Sequence, residues 1–510
     1  MPQTALTKLA PVIRPIAIHL CIGLSLNSLC IASHAQTVEI LAADQILRDP
    51  AITEAQRLIG NVVLGHEDGV LHCDSAWRYD NGQVDVFSNI RLNQPPSTVL
   101  TADFLQLDLE SEWASANGEV QLQHEDATLE APALSYQLAT RQAHYTAGAV
   151  IREDGWNVTS QTGSYHAEQQ LLQLGGDVLA MHERDTLRSD SVHWMRSERR
   201  YLFHGATAWS GADIAFTCLR GDLAMEEERT EGWLAGDVHV QDEEGTLAGD
   251  SLQLGEDASE VWGAVTLVSS DGLSEAHGSH AQRNSRDSTE VVVGDTLRRA
   301  WIRQIEDADT LHLAGETLSR RGETLTAIRR VTLVQAELTG VGDSLVWDDA
   351  EETIRVWGLP ELWSTQDRLA GDSLTLWLND QRPDKLEMRG HASVLSPAND
   401  SLAHRIQGRN LDAHFEAGEL TTVDVIGNGE VNYFEVSEGN AQAMVRLNAA
   451  KCAQVTLSVV DRKLQGIALI QQPNGTISPV KKGMDLGAFR VGEAPRFGPW
   501  ETSEQAPLPE

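Results

Sequence analysis

A five-residue phrase recurs along this chain at a nearly constant interval. It runs small residue, polar or small residue, usually Val or Ile, any residue, apolar residue. Copies are "GNVVL" (60–64), "SNIRL" (88–92), "GEVQL" (118–122), "GAVIR" (148–152), "GDVLA" (176–180), "GATAW" (205–209), "GDVHV" (236–240) and "GAVTL" (263–267). Their first residues step by 28, 30, 30, 28, 29, 31 and 27. Regular self-similarity over such a period marks an array of small structural units.

A second phrase falls between copies of the first: "LHCDSAWRYD" (71–80), "LTADFLQLD" (100–108), "LRSDSVHWM" (187–195), "LAGDSLQL" (247–254). Both phrases alternate apolar and polar positions with period two, as half-buried strands do. Val62 and Leu64 share one face, as do Leu252 and Leu254. Gly, Asp and Asn between the runs read as turns. Each unit of about 29 residues is therefore expected to hold two or three short strands, with helical spacing nearly absent. One such unit cannot bury its apolar face alone, so stacked units make an elongated array of antiparallel strands with a continuous core. Its open ends would present unpaired strand edges.

The expected organisation follows. Residues 1–35 read as a cleavable signal peptide: Lys8 and Arg14 precede the apolar run 15–32, and "SHA" (33–35) supplies small residues before Gln36. A first β-array spans 36–280. The polar stretch "AQRNSRDSTE" places a break or linker at 281–292. A second array spans 293–450, and a C-terminal segment with a disordered tail spans 451–510.

Charge excludes some partners. With 75 acidic against 39 basic side chains, net −36, the chain is no nucleic-acid binder, because phosphate binding runs on Lys and Arg clusters. Beyond the leader three cysteines remain, Cys73, Cys218 and Cys452. They form neither a disulfide framework nor a zinc pattern, and a single disulfide among them stays open.

"RLIGNVVLGHEDGVLHCDSAWRYDNGQVDVFSNIRL" (57–92) resembles the OstA-like family, periplasmic lipopolysaccharide-transport proteins of the LptA type. The resemblance rests on Gly60–Val62, on the phrase Leu71–Tyr79, and on the repetition of both. The longer form, with "GDSL", "GLPELWS" and "IGNGEVNYF", is similar to the large OstA-like proteins of Bacteroidota-type bacteria. The resemblance implies an all-β fold, an OstA-like β-jellyroll or "β-taco" in two consecutive segments. It implies a location in the periplasm, with association at the outer membrane. It implies lipopolysaccharide as ligand, acyl chains lying in an apolar groove, and other transport components or further copies joined end to end through sheet edges. The groove candidates on the inward parity are Val62, Leu64, Ile90, Leu92, Val120, Leu122, Val178, Val238 and Val265. No catalytic residue, metal or cofactor is expected.

Three rival chemistries are weighed against this reading. "GDSL" names a family of serine hydrolases, and Ser251, Ser344 and Ser373 all occupy it; three copies cannot all be one nucleophile, which would also need a positioned imidazole. Asp190–His193 and Asp309–His312 fit Asp-x-x-His but lie inside the same repeats. "AHGSH" brings Glu275, His277 and His280 together, short of the three or four convergent ligands zinc needs without a second cluster. Asp74, Asp190, Asp250, Asp343 and Asp372 recur as a glycosidase carboxylate pair might. Their equivalence points first to turn chemistry, since Asp bonds neighbouring amides.

Overall fold

The computed structural model describes residues 38–480, apart from short stretches between strands and the longer 436–445, together with Phe489. The expected signal peptide and most of the tail lie outside the described residues. The described chain is all β, an antiparallel β-jellyroll arrangement with a single short 3-10 turn at Arg196–Glu198. It divides into two units. The first holds described residues 38–243 and 248–256, the second 244–247 and those from 257 onward.

In the first unit most strands are 10–14 residues long, each paired with its sequence neighbours. The short strands expected from the pattern are halves of these longer ones. The phrase read as a turn between strands is a bulge inside a strand. In Gln56–His66 the register passes from Ile59↔Ser75 to Val62↔Cys73, so Gly60 and Asn61 together oppose Asp74. Gly60 (φ 77°) and Asn61 (φ 44°) are both left-handed, as are Gly118 and Glu119, Gly176 and Asp177, and Gly236 and Asp237. Such a bulge bends the strand. This explains the phrase residue by residue. The first position must tolerate positive φ, the second is a polar residue that accepts it, and the third is the first side chain pointing inward past the bend.

Side chains on both sides of the bend are buried at a fixed spacing of four: Leu58 and Val62, Val86 and Ile90, Ala116 and Val120, Leu174 and Val178, Leu234 and Val238. The two halves of each strand thus line one interior.

In the second unit a buried row crosses the paired strands. It runs Ala281, Val292, Leu318, Ala327, Leu345, Val356, Leu374, Met388, Leu411, Val425 and Val455, none more than 9% exposed. Residues 281–292, expected as a break, contribute to this row instead. They belong to the hairpin of strands Ser274–Asn284 and Thr289–Val293, and the units part nearer 244–257. The repeat phrase fades here for a local reason. The bend has opened into a loop at 294–299, so Thr289–Val293 and Ala300–Glu306 pair separately with Ser274–Asn284. Asp295 folds that loop by accepting the N–H groups of Leu297 and Arg298, both at 2.7 Å, and these bonds hold its carboxyl below the usual range.

Candidate functional site

The interior of the first unit is the leading site, and the alternating pattern positions it. A row of inward residues crosses the strands beyond the bends: Leu64, Leu71, Leu92, Leu100, Leu122 and Leu129, then Ile151, Val158, Ala180 and Leu187, each directly opposite the next. Of the nine expected groove residues, Val62, Leu64, Ile90, Val120, Leu122, Val178, Val238 and Val265 are buried, and Leu92 is half-buried. The eight that lie in the first unit therefore share its inward parity, and Val265 lies in the second unit.

The row opens at one place. Leu92 and Leu100, paired with each other, are half-buried while their neighbours are closed. On the other half of the strands, Leu107, Ala114, Tyr136 and Ala143 are inward and half-buried. Leu92 and Leu107 lie far from the bends, so the interior reaches solvent along the edge opposite them. One polar pair sits inside this stretch: Thr98 Oγ1 and His124 Nδ1 lie 2.7 Å apart, both buried. The sequence pattern gave parity but no sign of this opening, because Leu92 and Leu100 are the same residue type as their closed neighbours.

The recurrent aspartates have a structural task at the bends. Asp44 Oδ2 accepts from Asn61 Nδ2 at 2.9 Å and Asp74 Oδ2 from Asn89 Nδ2 at 2.7 Å. Asp190 Oδ2 accepts the Ala206 N–H at 2.8 Å. In the second unit Asp372 lies 2.9 Å from His391 Nδ1, and Asp343 packs on Gly358. Each side chain reaches the bulge of the following strand, so the equivalence of these positions is explained without a carboxylate pair. A constant separation of 15–19 residues between Asp and bulge was the signal available for this contact.

The "GDSL" serines are strand residues. Ser251, Ser344 and Ser373 each precede a buried leucine, Leu252, Leu345 or Leu374. Ser344 faces Ile328 and Trp357, and Ser373 faces Trp357 and Arg389. Asp190 is engaged at its bend, whereas His193 packs edge-on against His204 with ring centres 4.7 Å apart. Burial, then the His204 ring, pushes the His193 pKa down. Asp309 opens the strand that carries His312, with its side chain outside the described residues.

The "AHGSH" histidines go to different partners. His277 stacks on Trp301 at 4.1 Å, next to Glu275, which holds Arg303 at 3.0 Å. Burial pushes the His277 pKa down. His280 meets Glu260 at 3.1 Å and stacks on Trp262. Among the described residues no group of three or more His, Cys, Asp or Glu side chains could hold a metal ion. Cys73, Cys218 and Cys452 are free and buried, and burial lifts the thiols of Cys73 and Cys218 to about 11.

No curated protein matches the chain. Among solved structures it is similar to LptH of Pseudomonas aeruginosa, described as the LptA-homologous periplasmic component of the conserved lipopolysaccharide transport device. The identity is 18%, the TM-score 0.20, and the match covers 22% of this chain and 80% of that one. A family model described as "OstA-like protein" matches residues 35–198, the segment that contains the open stretch of the interior. Residues 35–198 thus carry the likeness to the OstA-like family.

Proposed function

We propose that this chain is a non-catalytic, exported periplasmic protein that shields the acyl chains of lipopolysaccharide on their way to the outer membrane. The observation that carries this reading is the aliphatic interior of the first unit, open along Leu92, Leu100 and Leu107 within the family-matched segment. An alkyl chain entering it exchanges water for leucine side chains, a gain of roughly 25 cal/mol per Å² of apolar area covered. The groove proposed for it is the first unit's inward set Val62, Leu64, Ile90, Leu92, Val120, Leu122, Val178 and Val238, reached through Leu92 and its partner Leu100; Val265, the ninth expected residue, belongs to the second unit.

The proposed partners are other transport components or a second copy, joined through sheet edges. In support, the strands Glu39–Ala42 and Gln45–Leu47 pair only with Gln56–His66 among the described residues, and they expose Leu41 and Ile46. A photo-crosslinking residue at Leu100 tests the carrier reading: it should capture lipopolysaccharide, and one at the outward Gln121 should not. Equal capture at both, or none at Leu100, would sink it.

A further inference from the structure

The interior of the first unit changes character partway along. In one row, buried Val84 is followed by Leu107, Ala114, Tyr136, Ala143 and then Tyr165, each inward residue opposite the next. From Leu107 to Ala143 these side chains are half-buried. From Tyr165 on, the same row is closed. Tyr165 is 7% exposed, Trp194 8% and Tyr201 6%, and the rings of Trp194 and Tyr201 stack at 5.8 Å with an interplanar angle of 4°. The opposite half closes earlier, at Leu122. Farther along that half stand Trp156 and Trp209, each 4% exposed, with ring centres 6.3 Å apart. Neither row changes parity, so the change lies in side-chain size and stiffness.

On the carrier reading above, we infer that Tyr165, Trp194 and Tyr201, with Trp156 and Trp209 on the other half of the strands, form an aromatic stop. It confines acyl chains to the half-open stretch before it and sets the longest chain the first unit can shield. A flexible alkyl chain can slide among half-packed aliphatic side chains. Close-packed rings leave no void for it, and each ring has few rotamers with which to move aside.

The test uses the full chain and a series of lysophospholipids of increasing acyl length, each with a diazirine at the chain end. Adducts after irradiation are mapped by mass spectrometry. Adducts should fall on the segments of Leu100, Leu107 and Tyr136, and stay short of Leu223 however long the probe. Trp194→Ala with Tyr201→Ala should let long probes reach Leu223. Leu107→Trp, which adds a ring without emptying the core, should pull the boundary back toward Val84. Adducts spread evenly to Leu223 in the unaltered chain, or a boundary unmoved by Leu107→Trp, overturn the stop and leave the carrier reading intact. No interior adducts with any probe overturn both.

Discussion

Asp190 lies against Gly205 from the neighbouring strand, and its carboxylate accepts the backbone N–H of Ala206 at 2.8 Å. Gly205 is left-handed, with φ at 87°. A methyl built on it would stand 2.6 Å from Asp190 Cβ, too close for either atom to stay in place. Gly205→Ala should therefore lose about 1–2 kcal/mol from the left-handed backbone alone, with the clash added. A urea titration of the unfolding midpoint measures it.

Removing the other partner has a smaller effect. Asp190→Ala deletes one hydrogen bond at an exposed bend, a loss of about 1 kcal/mol. The change should leave lipid capture at Leu100 unaltered. Loss of capture with an unchanged melting temperature would give Asp190 a part in binding that its position does not suggest.

Thr98 and His124 form a buried pair at 2.7 Å inside the apolar stretch. Thr98→Val or His124→Leu alone strands a polar group and should destabilise by about 1–3 kcal/mol. The double variant should recover part of that loss. Additive losses in a double-mutant cycle would show that the two side chains act independently.

The second unit should weaken in acid. His404 stacks on Tyr433 at 4.2 Å, and its Nδ1 accepts the Phe434 N–H at 3.2 Å, so the ring must be neutral there. Burial pushes its pKa below the ordinary value of about 6.5. The unfolded chain then takes up the proton more readily than the folded one. The stability from neutral His404 is complete above that ordinary value and falls away as pH drops below it. Urea unfolding followed by Phe434-region fluorescence or hydrogen exchange should show this slope, and His404→Gln should flatten it.

Cys73 and Cys218 should resist alkylation in the folded protein, since burial both covers the thiols and lifts them to about 11, far above assay pH. Iodoacetamide labelling should appear only with unfolding. Rapid labelling in native buffer would show that the interior opens at Val62 or Thr207, the residues paired with these cysteines.

The repeat made the fold class and the inward parity legible, because period-two alternation survives in every copy. Val62, Val120, Val178 and Val238 could be placed on one face by counting alone. Strand length was misjudged because Gly-X is read as a turn between strands, whereas Gly60 and Asn61 bend one strand without ending it. The break at 281–292 was misread because a polar hairpin and a polar linker share a composition. What separates them is the pairing Ala281↔Val292. The aromatic change at Tyr165 is hidden for another reason: Tyr201 and Trp209 share one strand yet continue different rows, and only the register shows which.

The order of pairing has a kinetic consequence. Strands of the first unit hydrogen-bond to neighbours in sequence, so loops closed during folding are short and their entropic cost is low. Any hairpin can act as a nucleus, and growth proceeds one strand at a time in both directions. A chain built this way can fold progressively as it is delivered from one end, with no need to wait for its last strand.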